Sequence, residues 1–372
     1  SDYRPNAKTT WTNTLALLDY YSDMSGSIDS IKFASRDYTS LQTFTYRKTY
    51  SIRYKSMLSK EWNDNSTTNV ALLYRGNSVG QNPSYTISST ADSTKFRGQV
   101  NDNSFETFAL FVTHTQAITW WRSKLVAGAS MDYSPQNYYA KFISVNKDLA
   151  SGKYVSYDAA AADSFLSKYK TGIVNLASYL DYECSPVRNL KFVLALRYDG
   201  FQYYFINNVP GSGSVNTAST VNQFNRFTPK LGLTYNYRDI GFYANYSQGY
   251  VPPQLTELYS SVRVAPYLLP QTFFNYEIGG WASLLKNKIY LDWSLYRLNG
   301  TNEIISVRQS DNSYTNENAG STRHTGVEYG ITFKPIEGLS IRFSGTNAKH
   351  EFVKNVVKGV DYSGREMSDA PR

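Results

Sequence analysis

Apolar and polar residues alternate with a period of two along much of this chain. In residues 191–199, Phe192, Leu194, Leu196 and Tyr198 fall on one side of an extended backbone, and mostly small or charged residues fall on the other. The same alternation recurs at 230–237, 288–294, 327–333 and 339–344. This pattern predicts β-strands that have one apolar face and one mostly polar face.

The extended segments are long. A strand that crosses a membrane needs about 9–11 residues, whereas strands of soluble sheets usually have about 5–6. Thirteen segments fit the strand pattern, near residues 9–22, 47–62, 67–79, 103–116, 117–134, 170–184, 189–206, 226–237, 240–250, 272–286, 288–308, 322–335 and 338–352. Their length favours a membrane barrel over a soluble sandwich.

The connections between these segments alternate between two kinds. Short polar turns are expected at 63–66, 185–189, 238–239, 286–288 and 335–338. Long stretches rich in Ser, Asn, Thr, Gly and Tyr are expected at 76–103, 134–170, 207–225 and 250–272. Short turns on one side and long loops on the other are typical of outer-membrane barrels.

Composition narrows the class of protein further. The chain has no apolar run of about 18 residues and a mean hydropathy of −0.45, which excludes a bundle of transmembrane helices. It has 33 Tyr, 19 Phe and 6 Trp, residues that membrane barrels collect at both interfaces. A Tyr-rich soluble sandwich or propeller is the alternative on composition alone. We predict an all-β fold, a transmembrane antiparallel up-and-down β-barrel.

The sequence shows no pattern of residues that is typical of an enzyme or a metal centre. Cys184 is the single cysteine, and His114, His324 and His350 lie far apart along the chain. The net charge of +8 is scattered without a dense basic run, which argues against nucleic acid as a partner. We expect neither catalytic residues nor metal ligands, and no cofactor.

Two groups of side chains are candidates for a functional role. The first comprises charged residues assigned to the polar faces of the strands, where they would line the lumen of a barrel: Arg197, Asp199, Glu277, Arg323 and Glu328. The second comprises residues at strand ends or in long loops, as weak candidates for ligand contact: Tyr139, Tyr154, Tyr203, Tyr259, Arg263 and Tyr267. Interface belts also demand many aromatic rings, so packing is the simpler role for the tyrosines.

A family resemblance appears in ordered phrases along the second half of the chain. They are ALRYD at 195–199, FTPKLGLTY at 227–235, FYANYSQGYVPPQLTELY at 242–259, LLPQTFFNYEIG at 268–279, NENAGSTRHTGVE at 316–328 and GREMSDAPR at 364–372. Their order and spacing resemble the barrel of TonB-dependent outer-membrane receptors. Two departures are Gln271, where the family usually has Glu, and the lack of the phrase typical of haem receptors.

The resemblance implies a barrel of 22 strands, of which this chain would hold about thirteen, with the last strands and an N-terminal plug domain outside it. It also implies active uptake of a scarce nutrient across the outer membrane of a Gram-negative bacterium. A ferric siderophore is the commonest cargo, and TonB and outer-membrane lipid are the implied partners. The alternatives are uptake of cobalamin, haem or oligosaccharide, a passive porin-type channel, and a soluble β-rich binding protein.

Overall fold

A computed structural model describes residues 1–26, 28, 30–42, 44–83, 87–92, 94–159, 161, 164–209, 219–259, 267–308, 314–318, 320–357 and 360–367. Within these residues, no helix has the length and apolar character needed to cross a membrane. Two short helices are present, α1 at Ser30–Ala34 and α2 at Leu255–Tyr259, together with a 3-10 turn at Trp120–Arg122.

Strands make up most of the described chain. In chain order they are β1 (Asp2–Asn6), β2 (Thr9–Asp23), β3 (Tyr46–Asn63), β4 (Ser66–Asn82), β5 (Ser88–Ser89), β6 (Lys95–Ile118), β7 (Ser123–Lys147), β8 (Tyr154–Asp158), β9 (Phe165–Val187), β10 (Leu190–Asn207), β11 (Thr220–Tyr237), β12 (Ile240–Val251), β13 (Gln271–Leu284), β14 (Ile289–Thr301), β15 (Ile304–Arg308), β16 (Tyr314–Asn318), β17 (Ser321–Phe333), β18 (Ile341–Lys354), β19 (Val356–Val357) and β20 (Val360–Asp361).

The described strands form one large antiparallel sheet and two small hairpins. The sheet has sixteen strands; fourteen follow one another in chain order from β1 to β18, while β5 and β8 attach to β6 and β7. Pairs β15–β16 and β19–β20 form the hairpins. No pairing between β1 and β18 is present in the part of the chain described, so the sheet is an open, curved wall. Sequential antiparallel pairing confirms the predicted up-and-down fold class.

The two faces of the sheet differ sharply in chemistry. One continuous row runs across six strands in register and consists of Phe192, Leu233, Ala244, Ile278, Leu295 and Val327. Phe192, Ile278 and Leu295 are 40%, 51% and 46% exposed, which is far more than a core would leave in contact with water. We call this side the apolar face and the opposite side the polar face. The apolar face has the character of a lipid-facing barrel surface.

The sheet extends beyond what a bilayer requires. Strands β6, β7 and β9 have 24, 25 and 23 residues, against about 9–11 for a membrane crossing. The loop predicted at 134–170 is therefore shorter in the structure, because β7 continues to Lys147 and β9 starts at Phe165. Polar residues such as those of 134–137 suggest a loop, but the backbone groups of neighbouring strands can pair whatever the polarity of their side chains.

One turn lies later in the chain than predicted. The alternation had suggested a strand boundary at 116–117, whereas β6 ends at Ile118 and the chain reverses at 119–122. Trp121 and Arg122 adopt positive φ angles of 51° and 47°, which few side chains tolerate. The Trp120 and Trp121 rings stack with centroids 3.9 Å apart. The residue types do not predict this turn, because it contains neither glycine nor proline.

Glycines paired across strands make room for large rings. In five directly opposed pairs the ring of one partner lies over the glycine of the other: Gly128–Tyr179, Gly241–Trp281, Gly279–Tyr243, Gly326–Tyr296 and Gly345–Tyr329. A Cβ at Gly128 would lie 2.3 Å from a Tyr179 ring atom. The Tyr179 hydroxyl lies 2.9 Å from Thr113 Oγ1, so this ring joins three strands. Glycine is required at these positions because a Cβ atom would overlap the ring of the opposed residue.

We predict that Gly128→Ala lowers the free energy of unfolding by about 1–3 kcal/mol, because the methyl group must displace the Tyr179 ring and break its contact with Thr113. The matched control is Gly232→Ala, where the nearest atom to the new Cβ is Val193 Cβ at 3.4 Å. Guanidinium unfolding of both variants in detergent, followed by tryptophan fluorescence, gives the comparison. Equal unfolding midpoints for the two variants would contradict this account of the glycine.

Candidate functional site

The main buried cluster of the described chain lies on the polar face, where the long connections begin. Phe201, Tyr203 and Phe205 alternate along β10 on the same side as Arg197 and Asp199, so this face changes from charged to aromatic within one strand. The cluster comprises Tyr169, Tyr203, Phe205, Phe224, Leu258, Tyr259 and Leu268, and we call it the aromatic cluster. Tyr138, Phe201 and Tyr250 are among the partly buried side chains around it. This cluster is the candidate functional region of the described chain.

Helix α2 is packed into this cluster. Pro252 and Pro253 end β12, since proline supplies no backbone N–H for pairing, and α2 begins two residues later. The Tyr259 ring stacks on Phe205 with centroids 4.1 Å apart, and its hydroxyl donates to Asn222 Oδ1. Burial raises the pKa of Tyr259, so it acts there as a neutral donor. Residues 252–259 are thereby held against the sheet.

The next long connection is tied to the first. Asn318 Nδ2 donates to the Leu269 carbonyl at 2.9 Å, and the Leu269 N–H donates back to Asn318 Oδ1 at 2.8 Å. Asn316 Nδ2 donates to the Glu257 carbonyl at 3.2 Å. Ile304 also packs against the aromatic cluster. The described parts of two connections, 252–259 with 267–270 and 302–308 with 314–318, thus share one anchor on the polar face.

The structure separates the tyrosines proposed for ligand contact. Tyr203 and Tyr259 come together, but they are only 5% and 2% exposed, so in this arrangement they build the cluster and present no open ring face. Tyr139 and Tyr154 lie elsewhere, each edge-on to another ring, Phe165 and Phe96 respectively. Tyr267 is 92% exposed beside the buried Leu268. Arg263 lies outside the described residues.

Charged side chains of the polar face bond with neighbours. Arg197 makes two hydrogen bonds to Asp199, Nε to Oδ2 and Nη2 to Oδ1, both at 2.7 Å. The Tyr243 hydroxyl donates to Glu277 Oε1 at 2.5 Å. Glu328 lies on this face too, opposite Ser294 of β14. Arg197, Asp199, Glu277 and Glu328 all lie on this face of the sheet.

Arg323 was assigned to the same face as Glu328, and the register corrects this. Residues of a strand alternate between faces, and the five-residue separation puts Arg323 on the opposite side from Glu328. There it pairs with Glu351 of β18, with Nη1 3.3 Å from Oε1. Lys349 Nζ lies 2.6 Å from the other oxygen of that carboxylate. Arg323 therefore belongs to a charged group on the apolar face, near the start of β17 and the end of β18.

The other end of the polar face carries a second set of charges. Glu183 Oε2 lies 2.8 Å from Lys191 Nζ and 3.6 Å from Lys124 Nζ. These residues stand near the short turns, at the opposite end of the sheet from the aromatic cluster. Charges at this depth are compatible with a face that meets water or polar protein.

A further polar group lies close to the anchored connections. His324 on β17 faces His350 on β18 with the two Nδ1 atoms 2.7 Å apart. Glu303 Oε1 is 3.7 Å from His324 Nε2, and Glu303 also accepts a hydrogen bond from Thr322. Burial opposes ionisation of Glu303, but its bonds to His324 and Thr322 outweigh that effect and lower its pKa. His324 and His350 lie far apart along the chain, and the register of β17 and β18 brings them together.

We predict that Tyr259→Ala frees α2 from the sheet, because it removes the stack on Phe205 and the bond to Asn222. Losing a large buried ring typically costs about 3–5 kcal/mol. Hydrogen exchange of the Leu258 amide, which bonds to the Gln254 carbonyl, should become at least about tenfold faster than in the wild type when measured by mass spectrometry. Tyr267→Ala removes an exposed ring and should leave the rate unchanged. Unchanged exchange in both variants would show that the cluster does not hold α2.

Comparisons with solved structures identify similar folds. The ferric-catecholate import receptor Fiu of E. coli K12 matches with a TM-score of 0.69 at 13% identity, covering 97% of this chain and 58% of that one. The siderophore receptor PiuA of Acinetobacter baumannii matches with a TM-score of 0.68 at 14% identity, covering 98% and 58%. The ferripyoverdine receptor of the outer membrane of Pseudomonas aeruginosa matches with a TM-score of 0.72 at 16% identity, covering 99% and 49%. At these identities the likeness concerns the fold, and this chain spans about half the length of each.

A search of curated proteins finds no significant match. The family model for the TonB dependent receptor-like β-barrel matches residues 1–372, the whole chain. The sequential antiparallel sheet agrees with a β-barrel family. This chain belongs to the TonB-dependent receptor β-barrel family, whose barrels lie in the outer membrane.

Proposed function

We propose that this chain forms much of the wall of an outer-membrane receptor that takes up a ferric siderophore with energy relayed by TonB. The observation that carries the proposal is the whole-chain family match. The neighbours' own descriptions, a ferric-catecholate import receptor and a ferripyoverdine receptor among them, favour ferric siderophores over the other cargoes of the family. Transport, with no catalytic step, is the proposed activity.

The chemistry of the two faces supports a filled lumen. In a receptor barrel the apolar face meets lipid and the polar face encloses the interior. Arg197, Asp199 and Glu277 would then line the interior, as would Lys124 and Glu183 nearer the short turns. We propose that the full-length protein carries an N-terminal plug that contacts these charges, and that TonB is engaged from that same region. Further strands would close the wall.

The anchored connections support a ligand mouth at the opposite end. Residues 252–259 and 267–270, together with 302–308 and 314–318, are held over the polar face by the aromatic cluster and by the amide bonds of Asn316 and Asn318. Exposed rings such as Tyr139 and Tyr267 are the remaining aromatic candidates for ligand contact, with Tyr154 beside the cation of Lys147. Arg263 would add positive charge, which suits an anionic ferric chelate.

We expect that deleting the gene abolishes uptake of at least one radiolabelled ferric siderophore by iron-limited cells, and that the wild-type gene restores it. Uptake should also stop in cells lacking TonB and after the proton-motive force is collapsed, because the energy comes from the inner membrane. Two outcomes separate the alternatives. Uptake that persists without TonB would indicate a passive porin-type channel, and loss of cobalamin, haem or oligosaccharide uptake alone would replace the siderophore as cargo.

A further inference from the structure

Two histidines on neighbouring strands point their ring nitrogens at one another. His324 and His350 are direct register partners of β17 and β18, on the same face as Glu328. Their Nδ1 atoms are 2.7 Å apart, and both rings are only partly buried. With both rings neutral, one Nδ1–H can donate to the other nitrogen, so a single proton joins the pair. Once that proton is removed, the two Nδ1 lone pairs are close enough to bind one metal ion together.

The surroundings of His324 strengthen the metal interpretation. Histidines that bind metals nearly always donate their second ring N–H to a carboxylate, carbonyl or water, which fixes the ring. Glu303 lies on that side of the ring, with Oε1 3.7 Å from His324 Nε2, which is an ion-pair distance and longer than a hydrogen bond. The carboxylate in turn accepts a hydrogen bond from the hydroxyl of Thr322, which lies two residues before His324 on the same face of β17. Glu303 thus orients a potential ligand without competing for the same nitrogen.

We propose that His324 and His350 bind one divalent late transition-metal ion through their Nδ1 atoms. Imidazole nitrogen suits Zn²⁺, Cu²⁺ and Ni²⁺, whereas Mg²⁺ and Ca²⁺ prefer oxygen. Nitrogen ligands at about 2.0–2.1 Å from an ion and about 90° apart would be about 3 Å from each other. The observed separation needs only a small opening of the pair. On binding, the ion replaces the shared proton.

The proposed site has only two protein ligands. In the described part of the chain, no group of three or more His, Cys, Asp or Glu side chains could hold a metal ion together. Two protein nitrogens therefore leave positions for water or for donor atoms of another molecule. Such a site exchanges its ion, unlike a closed structural zinc site with four protein ligands. It lies on the polar face, close to the anchored connection 302–320.

The test uses the full-length protein in detergent, carrying an affinity tag without histidine. Titration with Zn²⁺ by calorimetry should show one more bound ion per chain in the wild type than in His324→Gln or His350→Gln. Titration with Cu²⁺ should give an electron paramagnetic resonance spectrum with nitrogen coupling that both variants lose. The matched control is His114→Gln, which removes a histidine that bonds to Thr68 on β4 and should change neither result.

A fourth variant keeps the test valid if the histidine variants fold poorly. Glu303→Gln leaves both ligands in place but weakens the orientation of His324, so affinity for Zn²⁺ should fall about 10- to 100-fold. The proposal is overturned if Glu303→Gln binds as the wild type does, or if His324→Gln and His350→Gln give the same stoichiometry and copper spectrum as the wild type. It is also overturned if the wild type shows no nitrogen coupling with Cu²⁺.

Discussion

Strand register is the constraint on which the rest of this structure depends. Because side chains alternate between faces, a slip of one residue would move every apolar side chain of a strand to the polar face. The row from Phe192 to Val327 stays continuous across six strands only because each pair is aligned to the residue. Glycines that accept a neighbouring ring add a second check on alignment, since Tyr179 fits over Gly128 and not over the residues beside it. Lipid on one side and polar contents on the other can then share one sheet.

Much of the sheet could be read from the alternation, and the reasons for the exceptions are physical. Long strands with one apolar face, such as β10 and β17, were predicted close to their true bounds. The extensions of β6, β7 and β9 were not, because polar runs such as residues 134–137 resemble a loop in the sequence. Arg323 was placed on the wrong face because its apolar-face neighbours, Ser321 and Thr325, give no periodic signal there.

The candidate site was predicted less well, although signals for it were present. Phe201, Tyr203 and Phe205 interrupt the polar face of β10, and such a change indicates that something apolar packs against it. Identifying α2 as the partner required knowing how 252–270 folds back, and strand patterns carry no such information. The histidine pair is different. Once a hairpin joins β17 to β18 across 334–340, the register alone brings His324 opposite His350, so residues 26 apart in sequence become neighbours.

Because the strands differ in length, one side of the rim of the sheet is made of strands and the other of connections. β7 has 25 residues and β12 has 12, and at about 3.4 Å per residue the longer strand reaches about 44 Å further along its own direction. On the β6–β9 side the rim is sheet, fixed by backbone hydrogen bonds. On the β12–β14 side it is made of connections held by one aromatic cluster and a few amide bonds. On the second side, substitutions that change ligand specificity can accumulate in evolution, because side chains there can be replaced without disturbing any strand pairing.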